Sequence, residues 1–171
     1  MNTKNKYRHH GLCRGLVSAE KLDMLISFTK IKGDFVIRGL HAHFVRGFCQ
    51  KNTTMIYYAT EGNFNRDVKK IRHIAANHEE LFDFSGDVNN LEPGAVEPRK
   101  LEILIDSTQL TSKTVITILN DYYVDGKSKL DITKERGVTN SNLNREIRKI
   151  QRIADKFQEL RNLELNQLSD R

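Results

Sequence analysis

The stretch NLNREIRKIQRIADKFQEL, residues 142–160, occurs a second time in this chain as NFNRDVKKIRHIAANHEEL, residues 63–81. The correspondence extends further when the chain is shifted against itself by 79 positions. Residues 15–81 then pair with 94–160 without a gap, and 23 of the 67 pairs are identical. Repetition on this scale indicates a tandem duplication of one structural unit.

The second copy has the apolar spacing of short helices. One predicted helix places three apolar residues at helical spacing: Leu101, Leu104 and Ile105. The next is predicted to begin at a Ser112 cap, to stop at Gly126 and to bury four side chains: Val115, Ile118, Leu119 and Tyr122. A third begins at a Ser128 cap and ends at Gly137, which can adopt a left-handed conformation, before Thr139 or Asn140 caps a long final helix.

A short helix, a glycine turn and a capped basic helix form a helix-turn-helix pattern. The sequence therefore predicts an all-α fold of two tandem helix-turn-helix modules, each of about four helices. The predicted organisation is a flexible basic arm (1–14), a first module (15–81), a linker (82–93), a second module (94–160) and a C-terminal helical extension (161–171). Leucines in that extension need a partner, and either packing against the first module or self-association would supply one.

The long helix of each copy is amphipathic. Its apolar face comprises Leu143, Ile147, Ile150 and Ala154 in the second copy, and Phe64, Val68, Ile71 and Ala75 in the first. Guanidinium and amide groups on the opposite face are suited to phosphates and base edges, although such a face can also be merely solvated. Segments 63–74 and 142–153 each have four basic residues and one acidic residue, a charge of +3. The predicted DNA-binding residues are Thr139, Asn140, Ser141, Asn142, Asn144, Arg145, Arg148, Lys149, Arg152, Asn63, Asn65, Arg66, Lys69, Lys70 and His73.

The first copy departs from this pattern at its turn. Tyr58 stands at the position of Gly137, and a tyrosine tolerates a positive φ poorly. Glu61 stands at the position of Asn140, where a carboxylate would be repelled by phosphate. We therefore expect the first module to be the degenerate one and to add phosphate or assembly contacts more than base discrimination.

The stretch DSTQLTSKTVITILNDYYVDGKSKLDITKERGVTNSNLNREIRKIQRI, residues 106–153, resembles the PapB family of regulators of fimbrial (adhesin) operons in enteric bacteria. LVSAEKLDMLISFTKIKGDFVIRGL, residues 16–40, resembles the same module at greater distance. The resemblance implies an all-helical bacterial transcription regulator that binds double-stranded, AT-rich regulatory DNA and self-associates along it. Family members are usually single modules, whereas this chain is double.

Bulk properties are compatible with that expectation. The 171 residues are 38% hydrophobic and 29% charged, and the net charge of +6 with a pI of about 9.3 favours an anionic partner. No apolar leader or long apolar run is present, and the two cysteines are too few for a disulfide framework. A soluble cytoplasmic protein without membrane contact is therefore expected.

No enzyme, metal or small-molecule site is expected. The chain contains no GxGxxG, GxxxxGKS/T, GxSxG or HExxH motif. The spacing of its histidines and cysteines does not suit zinc: His9, His10, Cys13, His41, His43 and Cys49. The sequence predicts no cofactor, and it leaves two alternatives to DNA binding: an adaptor contacting another regulator or polymerase through its basic helical faces, and an RNA-binding protein.

Overall fold

The structure is a computed structural model that describes residues 12–84, 88–108 and 110–169. Regular secondary structure in these ranges is entirely helical, which confirms the predicted all-α class. The helices are α1 Ala19–Ser27, α2 Asp34–Phe44, α3 Gln50–Tyr57, α4 Glu61–Phe84, α5 Pro98–Thr108, α6 Lys113–Tyr123, α7 Lys129–Arg136 and α8 Asn140–Ser169. Most of the predicted basic arm, and residues 85–87 of the predicted linker, lie outside the described ranges.

The chain divides into two compact units. Residues up to 79 together with those from 163 onward form the first unit, and residues 80–162 form the second. Helices α6, α7 and α8 each begin 79 residues after α2, α3 and α4, respectively. The helix starts thus repeat at the same offset as the sequence.

Each unit contains two glycines whose backbones touch. One precedes α1 or α5, and the other follows α2 or α6. In the second unit, Gly94 and Gly126 have φ values of 76° and 70°. A Cβ atom on Gly94 would lie 3.0 Å from the Cα atom of Gly126. Gly15 and Gly47 make the same approach in the first unit, also at 3.0 Å. Helix α6 ends at Tyr123, three residues before the predicted stop at Gly126, and Gly126 allows two backbone segments to touch.

The core of the second unit corrects two predicted residues. Ile118, Ile132 and Leu143 are buried together, and three half-buried side chains pack against them: Tyr122, Val138 and Ile147. The sequence prediction that Tyr122 is buried was wrong, because its neighbour Tyr123 is the buried tyrosine at 1% exposure. Val115, also predicted to be buried, is half-buried. The hydroxyl of Tyr123 donates to the carbonyl oxygen of Ile147 at 3.4 Å, which fixes the ring against α8.

The predicted caps are largely present. The Ser128 hydroxyl accepts a hydrogen bond from the Asp131 amide at 3.2 Å. Ser112 occupies the cap position of α6 but makes no side-chain cap hydrogen bond. Gly137 ends α7 in the left-handed conformation, with φ of 63° and ψ of 28°. The turn before α8 therefore has the backbone that the sequence predicted.

The first unit makes its turn differently. Tyr58 is extended, with φ of −132°, so the turn avoids the positive φ found at Gly137. Its ring packs edge-on against Phe64, with centroids 5.1 Å apart. Space for this ring comes from Gly39, since a Cβ atom there would lie 2.8 Å from the Tyr58 ring. The position equivalent to Gly39 in the second unit is the core residue Ile118, and the position equivalent to Tyr58 is Gly137. The large side chain is therefore Tyr58 in the first unit and Ile118 in the second, with a glycine opposite it in each.

An ion-pair network in the second unit is replaced by apolar residues in the first. Asp121 is buried and binds Arg136 at 2.8 Å and Lys127 at 3.3 Å, while Lys127 also pairs with Glu135 at 2.8 Å. Hydrogen bonding from Arg136 lowers the pKa of Asp121 below its ordinary value. The equivalent residues of the first unit are Ala42, Tyr57, Phe48 and Ile56. A buried ion pair and an apolar cluster of similar volume are energetically interchangeable solutions.

The end of α8, from Leu163 onward, is part of the first unit, and self-association through the leucine-rich extension stays a prediction. Glu164 pairs with Lys21 at 2.6 Å, and the Gln167 amide donates to the Ser18 hydroxyl at 2.9 Å. Leu165 and Leu168 remain exposed. In the described ranges, no helix is long and apolar enough to cross a membrane, and no cluster of His, Cys, Asp or Glu could hold a metal ion.

Candidate nucleic-acid interface

Helix α8 begins with a row of exposed polar side chains. The Thr139 hydroxyl accepts a hydrogen bond from the Asn142 amide at 3.2 Å, so Thr139 is the cap and Asn140 is the first helical residue. Thr139, Asn140, Ser141 and Asn142 are all exposed. Unsatisfied amides at a helix start favour an anion such as phosphate. This end of α8 therefore offers both backbone and side-chain donors.

The basic face of α8 is directed to solvent because the opposite face is fixed in the core. Leu143, Ile150 and Ala154 are at most 1% exposed. Arg145, Arg148 and Arg152 are exposed along the other side. Within the described part of the chain, Arg148 and Arg152 form no ion pair, so both guanidinium groups can bind an external anion.

A buried carboxylate lies within this basic helix. Glu146 is 5% exposed and binds Arg145 at 2.9 Å and Lys149 at 2.7 Å. Burial alone would raise the pKa of Glu146, but hydrogen bonds from Lys149 and Arg145 outweigh burial and lower it. Glu146 therefore stays ionised and holds two of the predicted DNA-binding cations close to the helix surface. The sequence showed the charge of Glu146 but not these partners.

A second constraint acts on the predicted residue Asn144. Its side-chain oxygen accepts a hydrogen bond from Lys129 at 2.8 Å, and the Lys129 ammonium also lies over the Tyr122 ring, 5.6 Å from its centroid. Asn144 is half-buried as a result. Its oxygen is engaged within the unit, whereas its amide nitrogen can still donate to a base edge or a phosphate.

The equivalent helix of the first unit, α4, has its own basic groove. Arg66 and Lys69 are exposed, and Asp67, at the position of Glu146, is 6% exposed and binds Lys70 at 3.2 Å. The groove has a volume of about 900 Å³ and is lined by Gly62, Asn65, Arg66, Lys69, Lys70, Arg72 and His73. Each long helix thus combines an exposed basic face with one buried carboxylate.

The sequence prediction missed Arg72 of this groove. Arg72 is exposed and lies seven residues after Asn65, which places both on one face of α4. Arg72 lies at the edge of the face predicted from Arg66, Lys69 and His73, and Gln151 occupies its position in α8. The predicted residue Asn63 lies outside the groove lining, at the start of α4, where its amide donates to the Thr60 hydroxyl at 3.2 Å.

Comparison with known proteins relates this chain to one protein family. Residues 75–163, which include the whole second unit, match the family model "PapB: Adhesin biosynthesis transcription regulatory protein". The chain is also similar to "Regulatory protein FanB" of Escherichia coli, with 34% identity over 64 residues, or 37% of this chain and 65% of FanB. The chain thus spans just under two thirds of that relative. No solved structure matches. Because the family model covers more than half of its residues, this chain belongs to the PapB family of adhesin biosynthesis transcription regulatory proteins.

Proposed function

We propose that this chain regulates transcription of adhesin genes by binding double-stranded, AT-rich DNA, with α8 as its principal DNA-reading helix. The observation that carries the proposal is the exposed row of Arg145, Arg148 and Arg152 on a helix whose other face is fixed in the core. A helix anchored in this way can enter a groove without losing its fold. Family membership supports a regulatory role.

The three arginines have different roles in this proposal. Arg148 and Arg152 are the best candidates for base contacts, since their guanidinium groups extend into solvent. Arg145 and Lys149 are held by Glu146 and are better placed to bind the phosphate backbone. Phosphate contacts fix the register of a protein on DNA, whereas base contacts give sequence preference.

In this proposal the two units are a tandem pair of helix-turn-helix modules, and the first unit increases the affinity for DNA. Its groove presents Arg66, Lys69 and Arg72, which suit phosphate, but Glu61 begins its helix. A carboxylate there repels the DNA backbone that Asn140 would attract. Because both units belong to one chain, the second contact with DNA is intramolecular and gains from a high effective concentration. Further copies would bind beside the first along the DNA.

Fluorescence anisotropy of a labelled AT-rich duplex over a salt series tests the proposal. Arg148→Ala/Arg152→Ala should weaken binding by about 1–3 kcal/mol for each arginine that contacts a base. An arginine that contacts phosphate instead should reduce the slope of log affinity against log salt by about 0.9.

The control is Lys30→Ala/Lys32→Ala, which removes two exposed positive charges outside the long helices. This variant should retain most of the affinity. If the two double variants weaken binding equally, net charge alone explains the loss and α8 is not the reading helix. If neither changes binding, the chain does not bind DNA through this face.

A further inference from the structure

One lysine in the second unit connects α6, α7 and α8. Lys129, the first residue of α7, donates a hydrogen bond from its ammonium nitrogen to the side-chain oxygen of Asn144 on α8, at 2.8 Å. The same nitrogen lies 5.6 Å from the centre of the Tyr122 ring on α6. Tyr122 packs against the core and Lys129 is half-buried, so the lysine is held between α6 and α8.

This contact determines how the Asn144 side chain is oriented. An ammonium group can only donate hydrogen bonds, so the atom that faces Lys129 is the carboxamide oxygen and not the nitrogen. The NH2 group then points away from Lys129. Within the part of the chain that the structure describes, this NH2 group has no hydrogen-bond partner. Asn144 therefore offers a donor to an external ligand, while its oxygen is directed to Lys129.

Asn144 lies at the edge of the α8 face that carries the exposed arginines. It precedes Arg148 by one helical turn and follows Ser141 by three residues, and residues at these spacings share a face of a helix. Asn144 is half-buried, whereas Ser141 and Arg148 are exposed. An amide at this position can reach the same DNA groove as Arg148.

The first unit has the asparagine without the lysine. Asn65 stands at the position of Asn144, but Gln50 stands at the position of Lys129. The Gln50 amide donates instead to the carboxylate of Glu61. Among the described residues, the Asn65 side chain has no hydrogen-bond partner. The oriented amide is therefore a feature of the second unit, whose α8 is the proposed reading helix.

We propose that Lys129 is a positioning residue that makes Asn144 a donor-only reader of DNA bases. An asparagine with both groups available makes a bidentate contact with adenine in the major groove, donating to N7 and accepting from the N6 amino group. With its oxygen held by Lys129, Asn144 pairs instead with bases that offer acceptors at this edge, namely thymine through O4 or guanine through O6 and N7. This inference rests on the proposed function and gives it a further source of sequence preference.

Selection of bound duplexes from a library with a randomised central segment tests this preference. The native chain should enrich thymine or guanine at one position, and Asn144→Ala should lose the preference at that position alone. Lys129→Met removes the donor but keeps an unbranched side chain beside the Tyr122 ring. We expect it to raise the recovery of adenine relative to thymine at the same position by about tenfold, because the bidentate contact becomes available.

Three further variants separate this role from charge and from folding, and all should keep the native helical circular dichroism. Lys134→Met removes the same charge from an exposed position of α7 and should leave every base preference unchanged. Lys129→Arg retains a donor for the Asn144 oxygen and should keep the native preference. In Lys129→Met/Asn144→Ala the gain of adenine should disappear, since the effect of Lys129 passes through Asn144.

A measurement without DNA tests the orientation itself. Nitrogen NMR relaxation of the full chain gives the order parameter of each side-chain NH2 group. The Asn144 group should be ordered in the native chain, and Lys129→Met should reduce its order parameter to that of the exposed Asn140. Lys134→Met should leave it unchanged.

Each contrary result has its own meaning. If native chain and Lys129→Met enrich the same motif, DNA binding stands and the positioning role is refuted. If Lys129→Met weakens binding to every sequence equally, Lys129 is a phosphate contact, which also refutes the role. An unchanged order parameter in Lys129→Met would refute the orientation without reference to DNA. Absence of any enriched motif with the native chain would refute both the positioning role and the proposed function.

Discussion

Replacing Gly126 with alanine should destabilise the second unit more than the same change at Gly137. Both glycines have positive φ, 70° and 63°, so an alanine at either position is strained by about 1–2 kcal/mol. Alanine is less flexible than glycine in the unfolded chain, which raises the free energy of unfolding by about 0.4–1 kcal/mol at each position. These two contributions have similar sizes at the two glycines. Together they lower the free energy of unfolding by roughly 1 kcal/mol in Gly137→Ala.

The difference comes from the neighbouring backbone. A Cβ atom on Gly137 would meet nothing within 4 Å, whereas one on Gly126 would lie 3.1 Å from the Cα atom of Gly94. Because the obstacle is backbone, it cannot rotate away as a side chain could. Overpacking of this kind costs about 1–3 kcal/mol. Gly126→Ala should therefore lower the free energy of unfolding by about 2–4 kcal/mol in total.

Urea unfolding followed by far-ultraviolet circular dichroism measures both variants. The midpoints should fall without a change in the slope of free energy against urea, because neither substitution alters the surface exposed on unfolding. Gly15→Ala provides a repeat in the first unit, where the same Cβ would lie 3.0 Å from Gly47. Equal losses for Gly126→Ala and Gly137→Ala would refute the argument, since backbone strain would then account for the whole effect.

Two further stability predictions concern the exchanges between the units. Asp121→Asn should cost about 1–2 kcal/mol at pH 7. Because the pKa of Asp121 is lowered from 3.8, this contribution is complete above pH 3.8 and is lost as the pH falls through the lower native pKa. The urea midpoints of variant and native chain should therefore converge on acidification, and a constant gap would contradict the prediction. Gly39→Ile, which copies Ile118, would place its Cβ 2.6 Å from the Tyr57 Cβ and should cost about 3 kcal/mol or more. Adding Tyr58→Gly should recover part of that loss of stability. If the stability changes of the two substitutions simply add in the double-mutant cycle, the Tyr58 ring and the residue at position 39 do not compete for the same space.

Local signals in the sequence predicted much of this fold. The turn before α8 combines a left-handed Gly137 with a Thr139 cap, and both residues act on neighbours within four positions. The apolar face of α8 was predicted for the same reason, since helical spacing determines which residues can share a face. The exposed row of Arg145, Arg148 and Arg152 follows once that face is fixed in the core.

Contacts between distant residues were not predictable in the same way. Tyr58 indicated a degenerate turn because it replaces a glycine, but Gly39, nineteen positions earlier, provides room for an extended Tyr58. Likewise, the sequence indicates only that Glu146 is negatively charged, and the structure shows that it is buried and paired with Arg145 and Lys149. Pairing of this kind depends on side-chain packing, and one sequence does not contain that information.

The two copies differ in their surface residues while their helix starts keep the same offset. Duplication supplies a second scaffold whose surface can change without loss of the first activity. In this chain the second unit keeps a polar α7 and presents Arg148 and Arg152, whereas the first unit places Met55 on the equivalent short helix.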